Sequence, residues 1–238
     1  RAHLAVYTDE TLSGDNSWGI IGASLRRPDT RAALQPQGFL YTVAIRDDAA
    51  TRTRVIGALL DVIDATTQRE ALLAAMVDPR IRIISLTVTE KGYCHDPATG
   101  WLDPNHPDIQ HDLAQPDAPV SMPGLLVRAL ELRRARGHPT LTVLCCDNLP
   151  ANGETTARVV TGFAALRDKE LAQYIGTEIA FPSTMVDRIV PATTDADRLE
   201  VSVVAGLEDA WPVVTEPFSQ WVIEDRFSCG RPAWEYAG

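Results

Sequence analysis

The chain has 238 residues, of which 45% are hydrophobic and 23% are charged, and its formal net charge is −10. This composition is typical of a folded globular protein. The acidic balance argues against nucleic acid and anionic membranes as partners, because proteins that bind either usually present a basic surface. No apolar run in the sequence is long enough to span a bilayer, and the four cysteines do not follow a disulfide pattern. We therefore expect a cytoplasmic protein with reduced thiols.

The chain opens with an amphipathic segment, residues 1–12, whose apolar side chains can share one helical face. A helix usually begins with a Ser, Thr, Asp or Asn that caps its first amide groups, and Arg1 offers no such cap. The pattern predicts that the chain begins within a helix. If this helix belongs to a dinucleotide-binding strand-turn-helix, the strand and the Gly-rich loop of that motif lie upstream of Arg1.

The following residues alternate between strand-like and helix-like patterns. Short apolar runs bounded by turn residues predict strands, and Ala/Leu-rich segments that end at Gly or Pro predict helices. The predicted strands are 18–25, 38–45, 53–60, 81–88 and 140–145, and the predicted helices are 67–76, 124–136 and 155–175. Strands 38–45 and 53–60 form a hairpin, or the second leads into the next crossover. The alternation predicts an α/β fold with a doubly wound, mainly parallel sheet.

The alternation stops after residue 181. Residues 198–204 and 211–214 look like short strands among turns, and several aromatic residues lie close together in the sequence. We predict a main domain over residues 1–190 and an appended β-containing segment over residues 191–238 that leads to a further domain.

Polar residues follow three of the predicted strands. Ligands of a doubly wound sheet bind beyond the carboxyl ends of its strands, so these loops are the candidate site. The first contains Thr87, Thr89 and Glu90, the second contains Asn148, whose amide can donate and accept hydrogen bonds, and the third contains Asp187. A plainer interpretation stays open for each loop: the polar residues build turns and cap helices, Asp147 and Asn152 among them, and Asp187 pairs with Arg188 on the surface.

Other site chemistries find less support in the sequence. Cys94, His95, His106 and His111 lie in one loop, but their spacing fits no compact zinc pattern, so we predict no metal site. The chain contains neither a GxSxG nucleophile elbow nor a Walker loop, which disfavours hydrolase and phosphotransferase functions.

Five ordered segments carry a family resemblance that covers nearly the whole chain. They are Arg1-Ala2-His3 with Tyr7-Thr8-Asp9, SLTVTEKGY from Ser85, CDNLPANG from Cys146, FPSTMVDRIVP from Phe181, and EPFSQWVIED from Glu216. Together they resemble the polyol-specific long-chain dehydrogenases, the family of mannitol dehydrogenase and fructuronate reductase. The resemblance implies a Rossmann-like cofactor domain of a metal-independent oxidoreductase. Such an enzyme interconverts a polyol or sugar acid, of the mannitol or fructuronate/mannonate class, with its ketose by using a nicotinamide cofactor.

The resemblance also implies roles for individual residues. Asn148 matches an asparagine that stabilises the oxyanion, and Asp187 matches an aspartate of the substrate site. The family's catalytic lysine lies beyond the equivalent of Gly238, and neither Lys91 nor Lys169 matches it. The cofactor-binding residues that we predict are Arg1, Arg26, Asp29, Thr87, Thr89, Glu90, Asn148 and Val186.

The choice between NAD and NADP depends on the residues after the second strand of the fold. An acidic residue there favours NAD, whereas an arginine accommodates the 2′-phosphate of NADP. Arg26, Arg27 and Asp29 point both ways. We expect NAD, because many members of the family that the chain resembles prefer it. The expected partners are a small polyol or sugar-acid substrate and a C-terminal domain of the same polypeptide. The alternative function is a non-catalytic dinucleotide-binding or sensor module.

Overall fold

The computed structural model describes residues 2–12, 14, 17–47 and 49–237. Its helices are α1 (Ala2–Thr11), α2 (Asp29–Leu34), α3 (Arg69–Val77), α4 (Pro107–Ala114), α5 (Met122–Ala135), α6 (Asn152–Arg167), α7 (Lys169–Glu178) and α8 (Asp195–Ala205). Its strands are β1 (Ile20–Ser24), β2 (Tyr41–Arg46), β3 (Thr51–Ile56), β4 (Leu59–Asp64), β5 (Ile83–Leu86), β6 (Thr142–Cys145), β7 (Thr184–Asp187), β8 (Val213–Thr215) and β9 (Gln220–Ile223). None of these helices is long and apolar enough to cross a membrane.

The chain forms two compact units. Unit 1 contains the described residues of 1–72, 187–221 and 232–238, and unit 2 contains residues 73–186 and 222–231. The domain boundary at residue 190 stays a prediction.

Unit 1 contains two small sheets. Strand β1 pairs in parallel with β4, and β2 pairs antiparallel with β3 and parallel with β8. The predicted hairpin of β2 and β3 is therefore confirmed. The single strand predicted over 53–60 is wrong, because β3 and β4 are separate strands. Between them, the Asp9 carboxylate accepts hydrogen bonds from the backbone N–H groups of Gly57 and Ala58, at 2.7 and 3.1 Å, which replaces the pairing that a continuous strand would need.

The strand predicted over residues 198–204 is also wrong, since these residues belong to helix α8. A capping box begins this helix: the Thr194 hydroxyl accepts from the backbone N–H of Asp197, and the Asp197 carboxylate accepts from the backbone N–H of Thr194. On one face Val201 is fully buried against Ala44 and Val214. Valines alternate with polar residues here, which is the pattern expected of a strand. In the observed helix, Leu199 and Val203 are exposed.

Unit 2 contains the parallel pair β5 and β6, in which Ile83 is opposite Thr142 and Leu86 is opposite Cys145. Helices α5, α6 and α7 belong to the same unit, and their apolar faces are buried. The helix predicted over 155–175 is two helices, because the chain breaks at Asp168, whose backbone is extended. The Asp168 carboxylate accepts from the backbone N–H groups of Glu170 and Leu171 and so caps the second helix.

A buried arginine connects α5 to the end of α3. Arg133 is only 1% exposed. Its two terminal nitrogens donate hydrogen bonds of 2.7–3.3 Å to five backbone carbonyls, those of Met76, Val77, Asp78, Ile81 and Pro139. Three of these carbonyls lie at the C-terminal end of α3, where no further turn of helix supplies N–H donors. Arg133 therefore supplies hydrogen-bond donors to this end of the helix. The carbonyls of Val77 and Asp78 have a second contact each, to the Nδ1 of His138 and the N–H of Ile81, both at 3.0 Å.

We predict that Arg133→Met lowers the free energy of unfolding by about 3 kcal/mol or more, since five backbone carbonyls each lose a hydrogen bond from a buried charged donor. Urea denaturation followed by circular dichroism measures the loss. Arg136→Met, at the exposed C-terminal end of the same helix, is the control and should change the free energy of unfolding by less than about 1 kcal/mol. Equal losses in the two variants would contradict the assigned role of Arg133.

Candidate functional site

The candidate site in unit 2 forms where β5 and β6 end. Because the two strands are parallel and Leu86 is opposite Cys145, the loops 87–93 and 146–151 leave the sheet at the same edge. The segment that leads into β7 also lies beside β6, since the N–H of Val143 donates to the carbonyl of Ala180 at 2.9 Å. The three polar segments predicted from the sequence thus begin side by side within this unit.

Asp147 joins the first two loops. One oxygen of its carboxylate accepts from the backbone N–H of Val88 at 2.9 Å, and the other accepts from the backbone N–H of Thr89 at 3.2 Å. The Tyr93 hydroxyl donates to the same carboxylate at 2.8 Å. The carboxylate therefore receives hydrogen bonds from both ends of the 87–93 loop.

The backbone of this loop is strained at Thr89. Its φ and ψ are 66° and 162°, a region that is essentially restricted to glycine. A β-branched residue there costs roughly 1–3 kcal/mol and persists only where its surroundings enforce it. After Thr89, residues Glu90–Tyr93 form a short 3₁₀ turn, and Cys94 closes it with a left-handed backbone, φ 53°. The loop is thus fixed at both ends of the turn.

Burial keeps the titratable groups under this loop protonated. Tyr93 is fully buried, and burial together with the neighbouring Cys145 and Asp147 raises its pKa far above the usual range for tyrosine. The Tyr93 hydroxyl therefore stays a donor to Asp147. Burial also raises the pKa of Cys145, and it raises the pKa of Cys146 to about 12. Neither cysteine is ionised near neutral pH, so neither is a thiolate nucleophile.

Asn152 connects β6 to the start of β7. Its side chain is buried, and its Nδ2 donates to the carbonyls of Asp147 at 3.1 Å and Thr184 at 2.9 Å, with a longer contact of 3.4 Å to the carbonyl of Cys145. Its Oδ1 accepts from the backbone N–H of Thr184 at 2.9 Å. The plainer interpretation of Asn152 as a helix cap is therefore wrong. Helix α6 begins at Asn152 itself, and the preceding Ala151 provides no side-chain cap.

Gly153 is needed for this arrangement. A Cβ atom at this position would lie 2.5 Å from the carbonyl oxygen of Phe181 and 2.7 Å from backbone atoms of Pro182 and Ser183. Any side chain would therefore push the first turn of α6 away from the segment that leads into β7. The glycine is required by close approach.

The predicted site residues of unit 2 differ from these connecting residues in their exposure. Thr87, Thr89, Glu90 and Asn148 are exposed, and their side chains make no hydrogen bond to another described residue. Val186 is half-buried. The exposed side chains are therefore available to a ligand, whereas Asp147, Tyr93 and Asn152 are occupied in holding the loops.

Asp187 and the remaining predicted residues belong to unit 1. Asp187 is exposed, and no ion pair joins it to Arg188 within the described chain. Arg188 instead donates to the carbonyl of Glu216 at 3.3 Å. This geometry removes the plainer interpretation of Asp187 as half of a surface ion pair.

The loop after β1 carries the residues predicted to choose the cofactor. Arg26 and Asp29 are exposed, and neither side chain contacts a described partner. Arg31, by contrast, forms an ion pair with Asp61 at 2.6 Å. Arg26 and Arg27 of this loop and Asp29 at the start of α2 are thus exposed charged side chains without a partner among the described residues. Arg1, the remaining predicted cofactor residue, lies outside the described residues.

In the loop for which the sequence predicts no metal site, a cysteine and a histidine lie close to an aspartate. Cys94, His106 and Asp108 place one potential ligand atom each within 4.8 Å of the others, whereas His95 and His111 are not part of the group. The Nδ1 of His106 accepts from the backbone N–H of Asp108 at 3.2 Å and thereby caps α4. Helix capping accounts for the position of His106, and we assign no metal to this group.

Sequence reasoning missed the residues that connect the loops. In the sequence, Tyr93 is one residue of the SLTVTEKGY segment, and Asp147 and Asn152 are of types that are common in turns and caps. The sequence signal available at this point is Gly153, since glycine is the residue that permits a close approach of the backbone.

Comparison with known proteins shows the family of the chain. Residues 1–236 match the family described as mannitol dehydrogenase Rossmann domain. The chain is 48% identical to a mannitol 2-dehydrogenase of Cereibacter sphaeroides and 44% identical to a D-mannonate oxidoreductase of Escherichia coli K12. Each alignment covers 100% of this chain and 50% of the relative. The chain therefore spans about half the length of these relatives.

A solved structure shows the same fold. The Pseudomonas fluorescens mannitol 2-dehydrogenase, in a ternary complex with NAD and D-mannitol, superposes with a TM-score of 0.96 at 46% identity and covers 100% of this chain and 49% of that one. The predicted α/β fold of Rossmann type is confirmed. The chain belongs to the mannitol dehydrogenase family, as its Rossmann domain.

Proposed function

We propose that the chain is the NAD-binding part of an oxidoreductase that interconverts a polyol or sugar acid with its ketose by hydride transfer. The observation that carries this proposal is the set of four exposed polar residues beyond β5 and β6, which buried neighbours hold at one sheet edge. Further support comes from the relatives, which are named mannitol 2-dehydrogenase and D-mannonate oxidoreductase. The mannitol and the fructuronate/mannonate classes of substrate are therefore both candidates.

Asn148 is the residue of this chain that we place at the reacting oxygen. Oxidation of a secondary alcohol removes a hydride from carbon and a proton from oxygen, and NAD supplies the hydride acceptor. Negative charge develops on the oxygen as its proton leaves, so a fixed N–H donor there lowers the barrier. The Asn148 amide suits this role because it is exposed, makes no hydrogen bond to another described residue, and directly follows the anchored Asp147.

The other exposed residues orient the cofactor and substrate in this proposal. Thr87, Thr89 and Glu90, with the half-buried Val186, lie beside the nicotinamide, and Asp187 accepts hydrogen bonds from the hydroxyl groups of the substrate. At the adenosine end, the unpaired Asp29 accepts from the ribose 2′-hydroxyl, which favours NAD over NADP. Arg26 flanks this position, and we keep Arg1 as a predicted contact near the phosphates.

The base that removes the hydroxyl proton comes from the rest of the polypeptide in this proposal. The family resemblance places a catalytic lysine in that part, and the relatives are about twice as long as this chain. Neither Lys91 nor Lys169 matches that lysine. A C-terminal domain of the same polypeptide is thus a proposed partner, and lysine as base would make the enzyme metal-independent. The four cysteines are free thiols, which agrees with the predicted cytoplasmic location.

For the full-length protein, we predict that Asn148→Ala lowers kcat about a hundredfold or more, because loss of one oxyanion donor has that effect. Steady-state NADH formation from mannitol and from mannonate measures the change. Asn105→Ala, another exposed asparagine of unit 2, is the control and should leave kcat unchanged. An unaltered kcat in Asn148→Ala would remove this residue from the mechanism. NAD binding without turnover on any polyol or sugar acid would favour the sensor module instead.

We further predict that Asp29→Ala reduces the preference for NAD over NADP at least tenfold, which corresponds to about 1.4 kcal/mol of discrimination. The reason is that the variant loses the acceptor for the 2′-hydroxyl and the repulsion of a 2′-phosphate. The ratio of kcat/KM for the two cofactors measures this preference. Glu208→Ala, an exposed acidic residue of the same unit, controls for the change in net charge. An unchanged ratio would show that another residue selects the cofactor.

A further inference from the structure

Asp147 stands between two segments that the proposed function places at the reacting centre. Asn148 is its neighbour in sequence, and the N–H groups of Val88 and Thr89 donate to its carboxylate at 2.9 and 3.2 Å. Any movement of Asp147 would therefore displace the oxyanion donor and the 87–93 loop together. In the part of the chain that the structure describes, the partners of the Asp147 carboxylate are those two N–H groups and the Tyr93 hydroxyl.

The arrangement needs a carboxylate. Three donors converge on the side chain, and they use both of its oxygens as acceptors: Val88 and Tyr93 share one oxygen, and Thr89 uses the other. An asparagine at this position has one acceptor oxygen and one donor NH₂ group. If its oxygen faced Val88 and Tyr93, its NH₂ group would meet the N–H of Thr89, and that N–H would lose its partner.

Thr89 needs such a partner. Its φ of 66° and ψ of 162° define a backbone conformation that is unfavourable for a β-branched residue and persists only where other contacts enforce it. The hydrogen bonds from the N–H groups of Val88 and Thr89 fix the two peptide planes that precede the Thr89 Cα. The plane that follows it is fixed by the Thr89 carbonyl, which accepts from the N–H of Gly92 at 2.9 Å. Relaxation of Thr89 to a negative φ would redirect its own side chain and that of Glu90.

We propose that Asp147 is a positioning residue for the hydride transfer: its carboxylate holds the strained Thr89 backbone and so sets the 87–93 loop against Asn148. The inference rests on the proposed function, since it assigns the loop to the nicotinamide side of the site. Asp147 itself touches neither substrate nor cofactor in this proposal.

The first experiment compares two aspartates of unit 2 in the full-length protein. Asp147→Asn should raise the Kd for NAD and lower kcat, each by at least tenfold. Asp168→Ala is the matched control, because the Asp168 carboxylate also accepts from two backbone N–H groups but lies at the far end of α6, a 16-residue helix. It should leave Kd and kcat within twofold of the wild type while lowering the melting temperature. Wild-type Kd and kcat in Asp147→Asn, or equal losses in the control, would overturn the proposal.

The second experiment tests the strain directly. Glycine adopts the backbone of Thr89 without strain, so Thr89→Gly removes the need for a holding group. In the Thr89→Gly background, Asp147→Asn should raise the Kd for NAD by no more than about threefold, against tenfold or more in the wild-type background. The same factor in both backgrounds would show that Asp147 does not act through Thr89.

A third measurement does not depend on NAD binding. Hydrogen exchange of peptides covering residues 87–93 should be at least tenfold faster in Asp147→Asn than in the wild type and unchanged in Asp168→Ala. If the wild type fails to bind NAD but this exchange pattern appears, the proposed function fails while the holding role of Asp147 stands. If Asp147→Asn does not fold, Tyr93→Phe removes one donor to the same carboxylate and should raise the exchange of this loop at least threefold. Unchanged exchange in Tyr93→Phe would then overturn the proposal.

Discussion

The amide of Asn152 is the interaction on which the candidate site depends. It donates to the carbonyls of Asp147 and Thr184 and accepts from the N–H of Thr184, all at 2.9–3.1 Å and away from solvent. Only an amide side chain of this length presents a donor and an acceptor side by side, because a carboxylate lacks the donor and leucine lacks both. Removing it would leave buried backbone groups without partners, which is costly in a low-dielectric interior. Its neighbour Gly153 allows the close approach that these bonds require.

The elements predicted correctly are those whose signals are local. Helix α5 was predicted as 124–136 and observed as Met122–Ala135, and strand β6 was predicted as 140–145 and observed as Thr142–Cys145. In both cases an apolar segment is bounded by Gly or Pro within the sequence itself. Helix α8 was missed although its capping box is also local. The alternation of valine with polar residues predicts a strand and conflicts with the capping box. Burial of Val201 against Ala44 and Val214 would resolve the conflict, but it cannot be seen from the sequence.

The candidate site could be predicted only in part, because the hydrogen bonds that connect its loops are not local in the sequence. Residues such as Thr87 and Asn148 were found because parallel strands bring their carboxyl ends to one edge, and this rule requires no knowledge of distances. The hydrogen bonds of Asp147 to Val88 and Thr89 join residues almost 60 positions apart, and no pattern in one sequence reports such pairs. The sequence also does not indicate the positive φ of Thr89, since a β-branched residue predicts a strand backbone with a negative φ.

A family motif mixes residues that hold a site with residues that use it, and burial separates the two. In the segment from Cys146 to Gly153, the Asn152 side chain is buried and hydrogen-bonds to three residues, whereas the Asn148 side chain is exposed and has no partner among the described residues. Both are asparagines of the same motif, so the sequence gives no basis for ranking them. A polar side chain whose capacity is used by the backbone cannot also bind a substrate atom, because each lone pair or N–H serves one strong partner at a time. Chemistry is therefore confined to the exposed members of the motif, and the buried members determine where those exposed groups stand.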